Sequence, residues 1–345
     1  LLSLGADPAD TPAAFNMAAL CLKASGRTNG VSRLHGAVSR DLISTVPGGN
    51  AISSVTNVVH ARTWVMPRLQ AAFDSTLGRG WADGEPAAWQ HVEQLSDDTI
   101  RSLRRDGGRD LQALVQDRIG VAVDPDALII GFARRFATYK RANLLLTLAD
   151  ELGAILADAE RPVQFVFAGK AHPADSEGKA LLADIVAFSA SPQAHGRFLF
   201  VPDYDMGVAR AMYAGCDVWL NNPIRPHEAS GTSGEKSALN GGLNCSISDG
   251  WWDEMADGRN GWTIPSSSAD DPVERDADEA AATLRILSDE IVTEYYESDT
   301  PWGSTWIDRI RHNWRSLGPR VTAARMVADY QTELYGPALE ELGRT

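Results

Sequence analysis

The chain has 345 residues, 44% of them hydrophobic, with 32 Lys and Arg against 46 Asp and Glu for a formal charge of -14. That apolar content fits a folded enzyme with a large core and excludes a disordered or fibrous chain. The net charge repels nucleic acid and anionic membranes, so any anionic ligand needs a local cluster of cations.

The chain opens without Met at "LLSLGADPADTPAAFNMAAL", in mid-pattern, and is read as a fragment of a longer polypeptide. Residues 1–45 read as helical and 46–65 as loop. Short apolar runs at 127–133, 163–169, 197–201, 217–221 and 243–248 end at Gly, Asp or Asn, as buried parallel strands do. Helical stretches at 141–158, 178–190 and 207–214 alternate with them. That is the βαβ signature of a doubly wound α/β sheet, whose ligands sit at the carboxyl ends of the strands. Residues 266–281 read as an exposed acidic connector capping a following helix, and 281–343 as a run of helices. Cys21, Cys216 and Cys245 have no metal-ligand spacing. They read as reduced packing residues of a cytoplasmic protein with no metal site. No apolar run is long enough to span a membrane.

Two segments carry chemistry. "GFARRFATYKRANLLL" follows the first strand and holds Arg134, Arg135, Lys140 and Arg141 in a window free of acids from 127 to 149. Arg134 and Arg141 read equally well as surface cations beside a helix start. Arg135 and Lys140 are the functional pair of choice, since a guanidinium fork and a compact ammonium both suit phosphate. Each charge-assisted bond contributes on the order of 1.5–3 kcal/mol. The second segment, "EASGTSGEKSALN" (228–240), follows the strand at 217–221. Gly231 and Gly234 remove side chains where backbone approaches a ligand. A helix starting near Ser230 or Thr232 then aims free N–H groups at an anion. Thr232 and Lys236 share a helix face. Lys236 reads either as a solvated helix lysine or as one that holds a phosphate-bearing cofactor covalently.

Taken together, "NGVSRLHGAVSR" (29–40), "SVTNVVHARTW" (54–64), "GFARRFATYKRANLL" (131–145), "VFAGKAHP" (166–173) and "EASGTSGEKSALNGGLNCSISDGWWDE" (228–254) resemble the α-glucan phosphorylases, in the shorter bacterial form. The resemblance implies the two-Rossmann, GT-B-like architecture and pyridoxal 5'-phosphate as cofactor. It also implies retaining phosphorolysis of an α-1,4-glucan (glycogen or maltodextrin) by orthophosphate to glucose 1-phosphate, and a homodimer for the full-length protein. Carried over by motif, Lys236 bears the cofactor, and Gly231 and Thr232 line phosphate. Arg135 and Lys140 neutralise the two phosphates, with Arg134 in support. Glu228 and Ser230 bind sugar hydroxyls, Asn57 and His35 hold the glucose 6-hydroxyl, and Tyr204 lies near the cofactor.

The resemblance divides the chain into 1–57, the end of a glucan-binding N-terminal domain; 58–320, the cofactor-binding Rossmann-like domain; and 321–345, a helix returning to the first. It also implies that the isolated chain is inactive, because a Gly-rich loop expected in the preceding domain is absent before residue 29. Two positions depart from the family pattern. Val58 replaces a Gly, so a turn needing positive φ is expected to be distorted. Glu235 replaces a Met and is expected to point to solvent. The alternatives are a nucleotide-sugar glycosyltransferase of the glycogen synthase type, against which Lys236 stands where a second glutamate belongs, and a non-catalytic glucan-binding fragment.

Overall fold

Nearly every residue of the first long strand is buried, "LIIGFARRF" exposing only its penultimate arginine. Such a run must have both faces covered, which a parallel sheet between helices provides. In the computed structural model, which describes residues 2–7, 15–298 and 300–342, that is the arrangement found. A short parallel pair, β1 (Asn29–Gly30) and β2 (Ser53–Ser54), precedes the main sheet. The main sheet contains β3 (Leu128–Phe136), β4 (Val163–Ala171), β5 (Phe198–Val201), β6 (Val218–Asn221), β7 (Leu243–Ile247) and β8 (Gly261–Ile264). Its spatial order is β5-β4-β3-β6-β7-β8, and every pairing is parallel. After β5 the chain crosses to the other side of β3. The order therefore reverses between β3 and β6, and a crevice opens at their carboxyl ends.

Five of the six strands match the apolar runs read from the sequence; β8, "GWTI", does not figure among them. Nor does the helix Asp97–Ile119, capped by Ser96 and ended by Gly120 in the left-handed region. The expected helix 141–158 starts late. Arg141 is itself left-handed (φ 47°), residues Leu144–Leu148 form a 3-10 turn, and the α-helix runs only Ala149–Ala157. The acidic stretch 266–281 is also part helix, Pro272–Arg285, capped as expected by the Asp271 side chain. It is not wholly exposed, because Glu279 is buried. In the expected N-terminal helical region, Met17–Ala24 and Arg33–Leu42 are α-helices, while 8–14 lie outside the described residues.

Large apolar clusters fill both sides of the main sheet, and Cys216 and Cys245 are buried as packing residues. Cys21 is exposed and does not pack as expected. The C-terminal helical run turns back onto the first segment: Arg325 donates to the Thr56 carbonyl (2.8 Å) and Tyr330 to Asn57 Oδ1 (3.0 Å). Most exposed large apolar side chains belong to these two segments, including Leu4, Phe15, Met17, Leu42, Val327 and Leu339. Among the described residues, no helix is long and apolar enough to cross a membrane.

Candidate active site

The two chemistry-bearing segments meet at the crevice. The end of β3 delivers Arg134 and Arg135, and the turn that follows delivers Lys140. The loop after β6 delivers Glu228, and the helix Thr232–Leu239 begins directly behind it. Glu228 gathers the cations: Lys140 Nζ lies 2.6 Å and Arg134 Nη1 3.1 Å from its Oε2. Arg134 also donates to Ser233 Oγ at 3.0 Å. The Glu228 amide donates to Asp249 (2.9 Å), which ties the "EAS" loop to "SDGWW". Burial, and next the neighbouring Arg134, pushes the Lys140 ammonium down to about 8. Burial pushes Asp249 up to about 6.

Of the four cations, Arg135 is exposed and forms no ion pair among the described residues. Arg134 and Arg141 are not surface cations: both are buried. Arg141 faces away from the Glu228 group, reaching Asp276 (2.8 Å), Glu279 and the carbonyls of Asn222 and Pro223. A guanidinium so enclosed by acceptors is a structural tie.

Gly231 takes φ 91° at the entrance of Thr232–Leu239, a conformation that an L side chain rarely adopts. Gly234 serves packing instead of ligand approach. A Cβ there would lie 2.3 Å from Asn244 Oδ1 and 3.0 Å from the Trp251 ring. Thr232 and Lys236 follow one turn apart. The Lys236 amine sits over the Trp64 ring (4.2 Å to the centroid) and near that of Tyr213 (5.5 Å), and burial lowers its pKa. Tyr204 packs against the apolar cluster that contains Tyr213, and Tyr213 packs edge-on to Trp64 at 5.6 Å. An aromatic wall thus stands beside a half-buried lysine.

Glu235 does not point to solvent. It is fully buried, and neither carboxylate oxygen has a hydrogen-bond partner. Burial raises its pKa well above the ordinary carboxylate value, which favours the protonated, neutral form. Val58 has no positive φ, so the turn does not take the positive-φ form that a Gly would allow. Asn57 is held at three points: its N–H donates to Val31 O (2.9 Å), its carbonyl accepts from Ser230 Oγ (3.1 Å), and its Oδ1 accepts from Tyr330. Its side-chain N–H₂ remains to donate. His35 Nδ1 accepts from the Val31 amide at 3.0 Å, so the neutral ring carries its proton on Nε2. Burial lowers its pKa and favours that neutral form.

Several residues of the site escape motif reading. Trp64 and Tyr213 meet the lysine, Ser233 meets Arg134, and Asp249 clamps Glu228. Asn240, fully buried, donates to the carbonyls of Trp64 (2.9 Å) and Lys236 (2.8 Å) and accepts from the Met66 amide (2.9 Å). Its place four residues after Lys236, one helical turn on, is the signal that could have found it.

Comparison with known proteins agrees with the motifs. The sequence model of the carbohydrate phosphorylases matches residues 9–260, nearly three-quarters of the chain. The chain belongs to this family. It is 45% identical to the glycogen phosphorylase of Mycobacterium tuberculosis over 374 aligned positions, covering 100% of this chain and 42% of that protein. It is 39% identical to the maltodextrin phosphorylase of Thermococcus litoralis (94% and 41%) and 36% identical to the glycogen phosphorylase of Aquifex aeolicus (99% and 52%). The chain thus spans between about two-fifths and one-half of these relatives' lengths. Among the described residues, no group of three or more His, Cys, Asp or Glu is placed to hold a metal.

Proposed function

We propose that this chain is the cofactor-bearing part of an α-1,4-glucan phosphorylase that moves the terminal glucose of a glycogen or maltodextrin chain onto orthophosphate, with retention, giving glucose 1-phosphate. The observation that carries this reading is the meeting of Arg134, Lys140 and Glu228 at the β3/β6 crevice, next to a helix entrance whose lysine lies on an aromatic wall. In a chain of charge -14, one buried, one half-buried and one exposed cation close together suit bound phosphate.

The residues present fit pyridoxal 5'-phosphate. Lys236 is half-buried, has a lowered pKa and rests on ring faces instead of a carboxylate oxygen, which suits an amine that must react in its neutral form. Lys236 would hold the aldehyde carbon, Trp64, Tyr213 and Tyr204 would flank the cofactor, and Gly231 and Thr232 would face its phosphate. When bound, the group supplies a phosphate that passes a proton to and from the substrate phosphate. Lys140, Arg135 and Arg134 keep two phosphates side by side by offsetting their charge. Glu228 and Ser230 accept from sugar hydroxyls, and His35 Nε2–H and the Asn57 amide donate to the 6-hydroxyl. The aromatic wall excludes water, which strengthens each of these interactions.

In this reading, residues 58–320 form one of two Rossmann-like domains of a GT-B-like enzyme, and 1–57 with 321–345 belong to the other. The Tyr330–Asn57 and Arg325–Thr56 bonds support that grouping. The test is to add pyridoxal 5'-phosphate, reduce with borohydride and map the labelled peptide. A label on Lys236, lost in Lys236→Ala, is expected, and a label placed on another lysine overturns the assignment.

A further inference from the structure

A cavity of about 370 Å³ lies where β2, the "DGWWDE" segment and the C-terminal helices meet. None of Arg134, Lys140, Glu228 or Lys236 lines it, so it is separate from the candidate active site. Three guanidiniums face it, those of Arg33, Arg320 and Arg325. Two of them are matched by acids: Arg33 by Glu254 (3.3 Å) and Arg325 by Asp329 (2.6 Å). Glu254 is further committed, because it also accepts from Thr56 Oγ1 at 2.7 Å. Arg320 has no ion pair among the described residues. Its Nη2 donates only to the Glu254 carbonyl (2.9 Å). Burial holds it below the ordinary arginine value, the Glu254 carboxylate opposes that, Arg33 and Arg325 add to it, and Asp257 opposes it more weakly. The remaining acid, Glu333, is exposed at the rim. A half-buried guanidinium with no ion pair of its own, between two others, leaves donors free for an anion.

We propose that this cavity binds a small molecule bearing a phosphoryl group, with Arg320 as the principal contact and Arg33 and Arg325 beside it. Three planar forks around one space suit an oxyanion with several acceptor oxygens. The volume suits a ligand of monosaccharide size. Asp329 and Glu333 then face hydroxyls on the body of the ligand. Arg325 joins this place to the sugar turn, since it donates to the carbonyl of Thr56 (2.8 Å), the residue before Asn57.

The test is calorimetric titration with inorganic phosphate, using the chain and its Lys140→Ala variant. Phosphate binding is expected to persist in Lys140→Ala, to weaken at least tenfold when Arg320→Gln is added, and to weaken severalfold with Arg33→Gln. The Arg33 side chain is 75% exposed, so its replacement leaves folding intact, and an unchanged melting temperature checks Arg320→Gln. Residual binding that neither change weakens overturns the proposal, as does loss of all binding in Lys140→Ala alone. Binding that survives Lys140→Ala undiminished but fails with Arg320→Gln supports this site while counting against the proposed function.

Discussion

The backbone carbonyls of Trp64 and Lys236 accept from one side-chain amide, that of Asn240, and the Lys236 amine lies 4.2 Å from the Trp64 ring centroid. The lysine and the ring it rests on are therefore positioned by a single buried residue. Burial disfavours the ammonium, so Lys236 should be modified by an amine-directed reagent at a pH below that of an ordinary lysine. Trp64→Ala opens this side to water and should move the modification midpoint upward. An unchanged midpoint in Trp64→Ala, read by mass spectrometry across a pH series, would show that the ring does not set the lysine's environment.

Lys140 supplies the second prediction. Its pKa, lowered to about 8, leaves the ammonium charged below that pH and increasingly neutral above it. Affinity for sulfate, whose own charge is constant there, should fall as pH rises through about 8, approaching tenfold per unit once the lysine is neutral. Lys140→Arg should flatten the fall. A fall equally steep in Lys140→Arg would assign the titration to another group.

Glu235 makes the third. An acid whose pKa is raised on folding keeps its proton where the unfolded chain releases it. Its stabilising effect is whole below the unfolded value near 4.5 and declines as pH climbs above it. Glu235→Met removes two unbonded oxygens and should stabilise by about 1–3 kcal/mol at pH 8, with a smaller gain at pH 5. Glu235→Gln leaves an unsatisfied amide and should gain less. Urea denaturation at both pH values measures this, and equal gains at pH 5 and 8 would mean that Glu235 is not neutral in the fold.

Arg141 separates structure from binding. Arg141→Met strands the buried Glu279 carboxylate and should cost about 3–5 kcal/mol, yet leave sulfate affinity unchanged while the protein is folded. Arg135→Ala, at an exposed site, should do the reverse. Weakened sulfate binding in a fully stable Arg141→Met protein would place Arg141 in the site.

The strands were legible because a parallel sheet buried on both faces needs continuous apolar runs. β8 was not, since "GWTI" exposes its threonine and so breaks the apolar run. The helix Asp97–Ile119 carries its marks in plain view: a Ser96 cap, two aspartates in the first turn and Gly120 after the last. Lys140 and Glu228 meet because they lie in segments that leave the carboxyl ends of β3 and β6. Glu235 was misplaced for a physical reason. A rotation of about 100° from Lys236 implies solvent only for a helix with one wet face, and Thr232–Leu239 buries residues on either side of it. The pairing of Arg141 with Glu279 spans 138 positions, and no local pattern reports a contact at that range.

The three ties on Asn57 also impose an order of events during synthesis. One runs to nearby Val31, but the others come from Ser230 and Tyr330, 173 and 273 positions later. Contacts so distant along the chain form late, after the entropy of closing large loops has been met. A nascent chain leaving the ribosome can pair β3 with β4 as soon as both have emerged, but it cannot complete the ties on Asn57 until residue 330 is free of the exit tunnel. Polypeptide stalled or cleaved before that point should retain the sheet and the lysine while Asn57 lacks its partner Tyr330.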